Sequence, residues 1–133
     1  MLITKECDYA VRIIRALASG NKVNVTEISR REDIPTQFTY KISRKLEKIN
    51  ILRSVRGVNG GYILNRSLES LTLYDICEAV NKEILLTNCM EESYHCTRNL
   101  KGVPCLVHEE FIRIQELLVQ ELKANSLLSI LNK

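Results

Sequence analysis

The chain has 133 residues, a formal net charge of +3 and a hydrophobic content of 45%. This length suits one domain with its own core, and no stretch approaches the roughly 20 apolar residues that cross a bilayer. The first residues also lack the basic and apolar segments of a secretory signal. We therefore expect a cytoplasmic protein with no membrane partner, whose five cysteines stay reduced rather than forming disulfides.

Positive charge is concentrated in the N-terminal half of the chain. Residues 1–66 hold 13 of the 19 Lys and Arg but only six of the 16 Asp and Glu, so residues 67–133 are acidic. A basic half joined to an acidic half predicts one surface for a polyanion and another surface with a different task. Charges scattered over solvated faces are the alternative interpretation.

Three helices are predicted before residue 50. The first spans residues 4–19 with Thr4 as its N-cap, a second short helix opens at Thr26, and a third runs from Pro35 to about Lys48. The third helix separates its side chains by polarity. Its apolar side carries Phe38, Ile42, Leu46 and Ile49, and its polar side carries Gln37, Tyr40 and Arg44, flanked by Lys41 and Lys48.

A glycine-rich hairpin is predicted next. The strand-like runs ILRSV and YILNR flank RGVNGG, and Asn59-Gly60 indicates a tight turn that needs positive φ angles. One interpretation is an ordinary hairpin. The other is a wing whose glycines let the backbone approach a surface closely, with Arg56 beside it. A nucleotide-phosphate loop is disfavoured, because no Gly-Lys-Ser/Thr follows and the exit is strand-like.

The acidic half is predicted to contain three more helices. One begins after Thr72, with Asp75 as its reciprocal capping partner, and residues 82–106 then read as irregular. A long helix starts at about Val107, and a last short helix follows a cap at Asn125 or Ser126. The apolar stripe of the long helix is wider than one core face needs, which indicates a dimer helix. That stripe consists of Phe111, Ile114, Leu118 and Leu122, widened by Ile112, Leu117 and Val119.

This order of elements predicts a mainly α fold with one small β-hairpin, a winged helix-turn-helix that binds duplex DNA. Its domains would be residues 1–81 for DNA binding, 82–106 as a cysteine-bearing loop, and 107–133 for dimerisation.

Gln37 and Tyr40 would meet base edges, while Lys41, Arg44 and Lys48 would meet phosphates or bases. Arg56 would enter the minor groove, and a thin wing tip at Gly57, Asn59 and Gly60 would approach the sugar-phosphate edge. The sequence shows no pairing of a nucleophile with a base that would indicate an enzyme.

Four residues around the irregular segment have the chemistry of metal ligands. Cys89, Cys96, Cys105 and His108 follow the spacing C-x6-C-x8-C-x2-H. Thiolates are soft ligands that suit iron–sulfur clusters and zinc, although this spacing matches neither common ferredoxin runs nor the close cysteine pairs of structural zinc. Unligated thiols in a loop are the alternative interpretation. Cys7 and Cys77 lie on apolar helical stripes and are predicted to be core residues.

Residues 25–80 resemble the Rrf2 family of bacterial transcription regulators. The resemblance rests on the third helix, on Arg-Gly-x-x-Gly-Gly-Tyr in the wing and on Thr-Leu-x-Asp after it, and it extends over nearly the whole chain. The family includes the iron–sulfur regulator IscR, the nitric-oxide sensor NsrR and the cysteine-metabolism repressor CymR. The resemblance implies a homodimer, built through the long C-terminal helix, that binds an inverted-repeat operator.

The resemblance also implies an iron–sulfur cluster on Cys89, Cys96 and Cys105, which match the three cysteines of cluster-binding members. Its fourth ligand would be His108 in an IscR-like [2Fe–2S] site, which we favour, or Asp8 of the partner subunit in an NsrR-like [4Fe–4S] site. His95 is a further candidate beside Cys96. The implied function is regulation in which redox state, iron or nitric oxide sets operator affinity. The alternative is a cluster-free repressor that uses thiols, a protein or a small molecule as its signal.

Overall fold

The computed structural model describes residues 3–132, which form six α-helices and one β-hairpin. Short 3-10 turns lie at Leu68–Ser70 and Asn88–Met90. Within the described residues, every helix is too short or too polar to span a bilayer. The elements are α1 (Lys5–Ala16), α2 (Val25–Glu32), α3 (Thr36–Lys48), β1 (Leu52–Val55), β2 (Gly61–Leu64), α4 (Leu73–Val80), α5 (Leu106–Ala124) and α6 (Leu127–Leu131).

Side-chain caps set where α1 and α2 begin, whereas α3 has none. Thr4 caps α1 as predicted, and its side chain accepts a hydrogen bond from the backbone N–H of Cys7 at 3.3 Å. Helix α2 was predicted to begin at Thr26 but begins one residue earlier, at Val25. Asn24 caps it by accepting a hydrogen bond from the N–H of Glu27 at 2.8 Å. Pro35 occupies the N-cap position of α3. The basic helix is therefore oriented by the tight connection from α2 rather than by a side-chain cap.

The core lies where α1 packs against α2, α3 and α4. Helix α3 contributes Ile42 and Leu46 to it, both fully buried. Ile49 was predicted on this apolar side, but it is 45% exposed, because α3 ends at Lys48 and the chain turns away through Asn50 at a φ of 60°. The remaining fully buried aliphatic side chains are Ile13, Ile14, Leu17, Ile28, Ile51, Leu52, Leu71, Ile76 and Leu127.

The hairpin pairs β1 and β2 antiparallel, from Leu52 opposite Leu64 to Val55 opposite Gly61. The N–H of Gly60 donates to the carbonyl of Gly57 at 3.0 Å and closes the turn. The positive φ predicted for Asn59-Gly60 is wrong. Gly57, at 115°, is the residue of this turn with positive φ.

Glycine is required at positions 60 and 61 because neighbouring backbone atoms leave no room for a Cβ. A Cβ on Gly61 would lie 2.4 Å from the carbonyl oxygen of Val23, and a Cβ on Gly60 would lie 2.6 Å from that of Val55. The close approach at Gly61 arises because Tyr62 exchanges two backbone hydrogen bonds with Val23, at 2.9 and 3.0 Å. The hairpin is therefore fixed to the segment that leads into α2.

The C-terminal elements dock on α4 and on the 3-10 turn at Leu68–Ser70. Thr72 and Asp75 form the predicted capping box of α4, and Ser126 rather than Asn125 caps α6. Helix α5 contacts α4, and its Leu122 is buried, whereas Phe111 and Ile114 of the predicted stripe are exposed. Within this chain, α5 thus packs against the core mainly through its C-terminal part.

Candidate nucleic-acid interface and cysteine segment

The polar side of α3 is open to solvent as predicted. Tyr40 is 47% exposed, and Gln37, Arg44 and Lys48 are exposed as well. The opposite side of the helix is anchored by buried Thr39, Ile42 and Leu46. Thr39 also accepts a hydrogen bond from Ser29 of α2 at 2.8 Å, which ties the two helices of the helix-turn-helix together inside the core.

An acidic residue of α1 binds two lysines of α3. Nζ of Lys41 lies 2.6 Å from Oε1 of Glu6, and Nζ of Lys45 lies 2.6 Å from Oε2. The hydrogen bond from Lys41, followed by that from Lys45, holds the pKa of the Glu6 carboxyl below its ordinary value. Lys41, predicted as a DNA contact, is therefore engaged within the chain, although its side chain remains 54% exposed.

Three predicted DNA-contacting cations remain unpaired. Arg44, Lys48 and Arg56 are exposed, and none forms an ion pair with any residue in the described range 3–132. Arg56 follows β1 directly, at the start of the hairpin turn. Its side chain is not turned inward to neutralise a carboxylate, so it is available to a polyanion.

Helix α3 and the hairpin share one concave surface. Tyr40 of α3 lines a cavity of about 320 Å³ together with Gly57, Val58 and Gly60 of the hairpin turn and Thr26 at the start of α2. Val58 and Asn59 are exposed at the tip of the turn. This shared wall places the polar side of α3 and the hairpin on the same side of the protein.

Glu47, which sequence reasoning missed, joins the two parts of this surface. Its Oε1 accepts from the N–H of Ser54 at 3.2 Å and from the Ser54 hydroxyl at 2.5 Å, which holds β1 against α3. Burial, followed by the Glu47 charge, raises the pKa of the Tyr62 hydroxyl above its ordinary value. The sequence signal that could have indicated this role is the single carboxylate among the lysines and arginines of α3.

The structure brings two of the four predicted metal ligands together. Sγ of Cys89 lies 3.4 Å from Nδ1 of His108 and 2.9 Å from the hydroxyl of Thr87. Cys96 lines a separate depression with His95, and the N–H of Cys105 donates to the Asn99 side chain at 2.9 Å. Among residues 3–132, no group of three or more His, Cys, Asp or Glu side chains is gathered for a metal ion.

Besides the contact of Cys89 with His108, Gln115 of α5 holds the segment 82–106 through two backbone hydrogen bonds. Gln115 accepts from the backbone N–H of Leu86 at 2.9 Å, and its amide nitrogen donates to the carbonyl of Ile84. Asp8, the alternative ligand, lies on the exposed side of α1 and pairs with Arg12 at 3.0 Å. The thiol-bearing loop is therefore mechanically linked to the long C-terminal helix.

Cys7 and Cys77 are buried, which confirms their prediction as core residues. They extend from α1 and α4 toward each other. Burial, followed by interaction with the neighbouring Cys7 thiol, raises the pKa of Cys77 to about 12. Both thiols lie outside the segment 82–106.

Comparisons with known proteins place this architecture in one family. Residues 3–133 match the family model Rrf2, described as an iron-dependent transcriptional regulator. A Haemophilus influenzae protein named as an HTH-type transcriptional regulator is 34% identical over 112 residues, which cover 82% of this chain and 72% of that protein. The regulator IscR of Escherichia coli O1:K1 is 28% identical over 111 residues, which cover 81% of this chain and 66% of IscR.

The fold also resembles that of CymR, the global cysteine regulator of Bacillus subtilis. The two structures superpose with a TM-score of 0.77 over 98% of this chain and 95% of CymR, at 18% sequence identity. At that identity the likeness concerns the fold alone. Together with the match along residues 3–133, the helix-turn-helix and its wing show that the chain belongs to the Rrf2 family of transcriptional regulators, which are not enzymes.

Proposed function

We propose that this protein is a dimeric regulator that binds an inverted-repeat operator through α3 and the hairpin, with its affinity set at the segment 82–106. The observation that carries the proposal is the cavity wall shared by Tyr40, Gly57 and Gly60. A helix in the major groove and a wing in the adjacent minor groove must project from the same side of a protomer. That shared wall supports this arrangement.

Each exposed group would have its own task on DNA. Gln37 and Tyr40 would read base edges, while Arg44 and Lys48 would bind phosphates or bases. Arg56 would enter the minor groove beside a wing tip formed by Gly57, Asn59 and Gly60, where a narrow groove concentrates negative potential. Lys41 would contribute only to the extent that DNA phosphates displace Glu6.

A second copy of the chain would cover α5. One helix-turn-helix reads few base pairs, so a two-fold dimer with two half-sites is the economical arrangement. Apolar side chains of α5 that this chain leaves exposed support such an interface. They are Leu106, Val107, Phe111, Ile112, Ile114 and Leu117.

The donor set of the segment 82–106 fits an iron–sulfur cluster. Three half-buried cysteines at positions 89, 96 and 105 supply soft thiolates. Nδ1 of His108 lies 3.4 Å from Sγ of Cys89, which supports the two as ligands of one centre. This contact supports His108, and with it a [2Fe–2S] site, over Asp8, which is paired with Arg12.

Gln115 connects the segment 82–106 to α5, the proposed dimer helix. When bound, the cluster would supply redox and nitric-oxide sensitivity to the chain that holds it. Cysteines drawn to one centre would order residues 82–106, and Gln115 would carry that ordering to α5 through its bonds to Ile84 and Leu86. The dimer would then shift between conformations of different DNA affinity.

A cluster-free thiol switch is the second candidate function. The contact of Cys89 with His108 favours it, because a histidine beside a thiol is a common arrangement at reactive cysteines. In this version oxidation of Cys89, or a protein or small-molecule partner, replaces the cluster as the signal. A thiol titration with and without bound iron separates the two candidates.

The deciding experiment is Mössbauer and ultraviolet–visible spectroscopy of anaerobic protein reconstituted with iron-57 and sulfide. We expect a coloured protein whose Mössbauer spectrum reports cluster type and ligand asymmetry. Cys96→Ala should bleach the chromophore, whereas Cys77→Ala, which removes a thiol outside the proposed ligand set, should keep it. A colourless, iron-free protein after reconstitution contradicts the cluster and leaves the thiol switch.

A further inference from the structure

Two cysteines outside the segment 82–106 meet at the junction of α1, α4 and α5. Cys7 is fully buried and Cys77 is 2% exposed, and both line one cavity of about 230 Å³. Leu122 of α5 closes the same cavity, whereas the exposed face of α5 lies at residues 106–117. The thiol pair is therefore distinct from both the proposed cluster ligands and the proposed dimer face.

The cavity walls are apolar apart from the thiols and one carboxylate. Ile3, Val11, Leu73 and Leu122 line it, with Asp8 as the one charged residue. Asp8 is paired with Arg12 at 3.0 Å. A ligand in this cavity would thus meet two sulfur atoms in low-polarity surroundings, where any uncompensated charge is costly.

Polar side chains at the end of α4 and the start of α1 support the Cys7 sulfur. Nδ2 of Asn81 donates to Cys7 Sγ at 3.1 Å, and the Thr4 hydroxyl lies 3.5 Å from the same sulfur. The Thr4 hydroxyl also bonds Oδ1 of Asn81 at 3.0 Å, which fixes the amide so that its N–H faces the sulfur. The Asn81 amide N–H would stabilise charge on a metal-bound thiolate at Cys7.

We propose that Cys7 and Cys77 form a two-thiolate site for a soft metal cation that prefers two ligands. Mercuric ion and Cu(I) are cations of this class. Soft sulfur ligands select such ions, while structural zinc needs four ligands. No third His, Cys, Asp or Glu joins the pair within the described residues. Mercuric ion suits the apolar walls best, because one divalent cation and two thiolates form a neutral complex.

The binding step balances without an external oxidant or reductant. Two thiols and one mercuric ion give one sulfur–mercury–sulfur bridge and release two protons to solvent. The bridge would join α1 to α4, so it should also raise the thermal stability of the protein. It depends on neither DNA binding nor the proposed cluster.

The test uses the full chain with the other three cysteines replaced, as C89S/C96S/C105S, so that the two core thiols are the only ones left. Mercuric chloride is added and sulfur-to-mercury charge-transfer absorption in the ultraviolet is followed. We expect saturation at one equivalent per chain, release of two protons per ion, and a rise in melting temperature. Zinc chloride in a parallel titration should give no saturable binding.

Further variants separate binding from folding. Cys77→Ala and Cys7→Ser in the same background should each abolish the one-equivalent step while circular dichroism reports a retained helical fold. If either variant unfolds, the parent C89S/C96S/C105S protein still decides the question through stoichiometry and proton release. No saturable mercury binding by that parent, equal affinity for zinc, or full binding by a folded Cys77→Ala protein overturns the proposal.

Discussion

Lys41 Nζ and Glu6 Oε1 lie 2.6 Å apart, so a carboxylate in the first turn of α1 neutralises a lysine on the exposed side of α3. The other oxygen of Glu6 binds Lys45, whose ammonium also donates to the carbonyl of Val80 at 3.1 Å. Glu6 and Lys45 together connect α1, α3 and the end of α4. The cationic surface offered to DNA is smaller than the count of lysines and arginines suggests.

Glu6→Gln should strengthen non-specific DNA binding. The substitution leaves Lys41 free to bind a phosphate, and each added phosphate contact steepens the salt dependence of log K by about 0.9. Fluorescence anisotropy with duplex DNA at several salt concentrations measures this slope. Glu110→Gln is the matched control, because it breaks the pair with Arg113 on α5, away from α3. Equal slopes for Glu6→Gln and wild type would show that Lys41 takes no part in binding.

The same carboxyl should make stability depend on pH in acid. Its pKa is lowered in the folded protein by Lys41 and then Lys45. A lowered pKa stabilises the fold above the unfolded-state value, about 4.3 for Glu, and the contribution disappears as pH falls through the folded-state value. Urea midpoints should therefore differ between wild type and Glu6→Gln at pH 7 and converge toward pH 2. A constant difference across that range would contradict this origin.

Gly61→Ala should destabilise the protein more than Gly102→Ala. The new Cβ at 61 would lie 2.4 Å from the Val23 carbonyl oxygen, so the pairing of the hairpin with the segment before α2 must shift, at about 1–3 kcal/mol. Gly102 has a φ of 85° but nothing within 4 Å, so its substitution carries backbone strain alone, of about 1–2 kcal/mol. Urea denaturation measures both. A smaller loss at 61 than at 102 would mean that the contact relaxes freely.

Ser43→Ala should be neutral or stabilising, whereas Ser29→Ala should cost about 1–3 kcal/mol. Among the described residues, the Ser43 hydroxyl is the buried side-chain oxygen without a hydrogen-bond partner, so its removal relieves a desolvation penalty. The Ser29 hydroxyl bonds Thr39 at 2.8 Å, so its removal leaves a buried partner unsatisfied. Differential scanning calorimetry compares the two variants. A large loss at Ser43 would indicate a partner that becomes available in solution.

Arg56→Ala should weaken operator binding by about 1–3 kcal/mol, the loss typical of one specific contact. Arg56 is exposed beside the turn and has no ion-pair partner within residues 3–132, so its loss should leave stability unchanged. Arg66→Ala is the control, since it removes the same charge beyond the far end of β2. Gel-shift titration compares the variants. An Arg56→Ala protein that binds like wild type contradicts the role of the wing.

Sequence alone determined the features that depend on neighbouring residues. Thr4 and the Thr72–Asp75 pair correctly predicted the starts of α1 and α4, because a capping side chain bonds a backbone group three residues away. The periodic placement of Ile42 and Leu46 assigned the buried side of α3, because a helix returns to the same face every three to four residues. The winged helix-turn-helix followed from the order of such local signals.

Only the tertiary structure decided the relationships between distant residues. Gly61 is needed because Val23 approaches it, Lys41 is neutralised by Glu6, and Cys7 meets Cys77, yet each partner lies more than 30 positions away. The sequence pattern assigned the hairpin glycines to the turn and Lys41 to DNA contact. It did so because it relates each side chain only to residues of its own segment. Contacts between segments depend on how α1, α3 and α4 pack around the core, and that packing sets which charges stay free and which thiols meet.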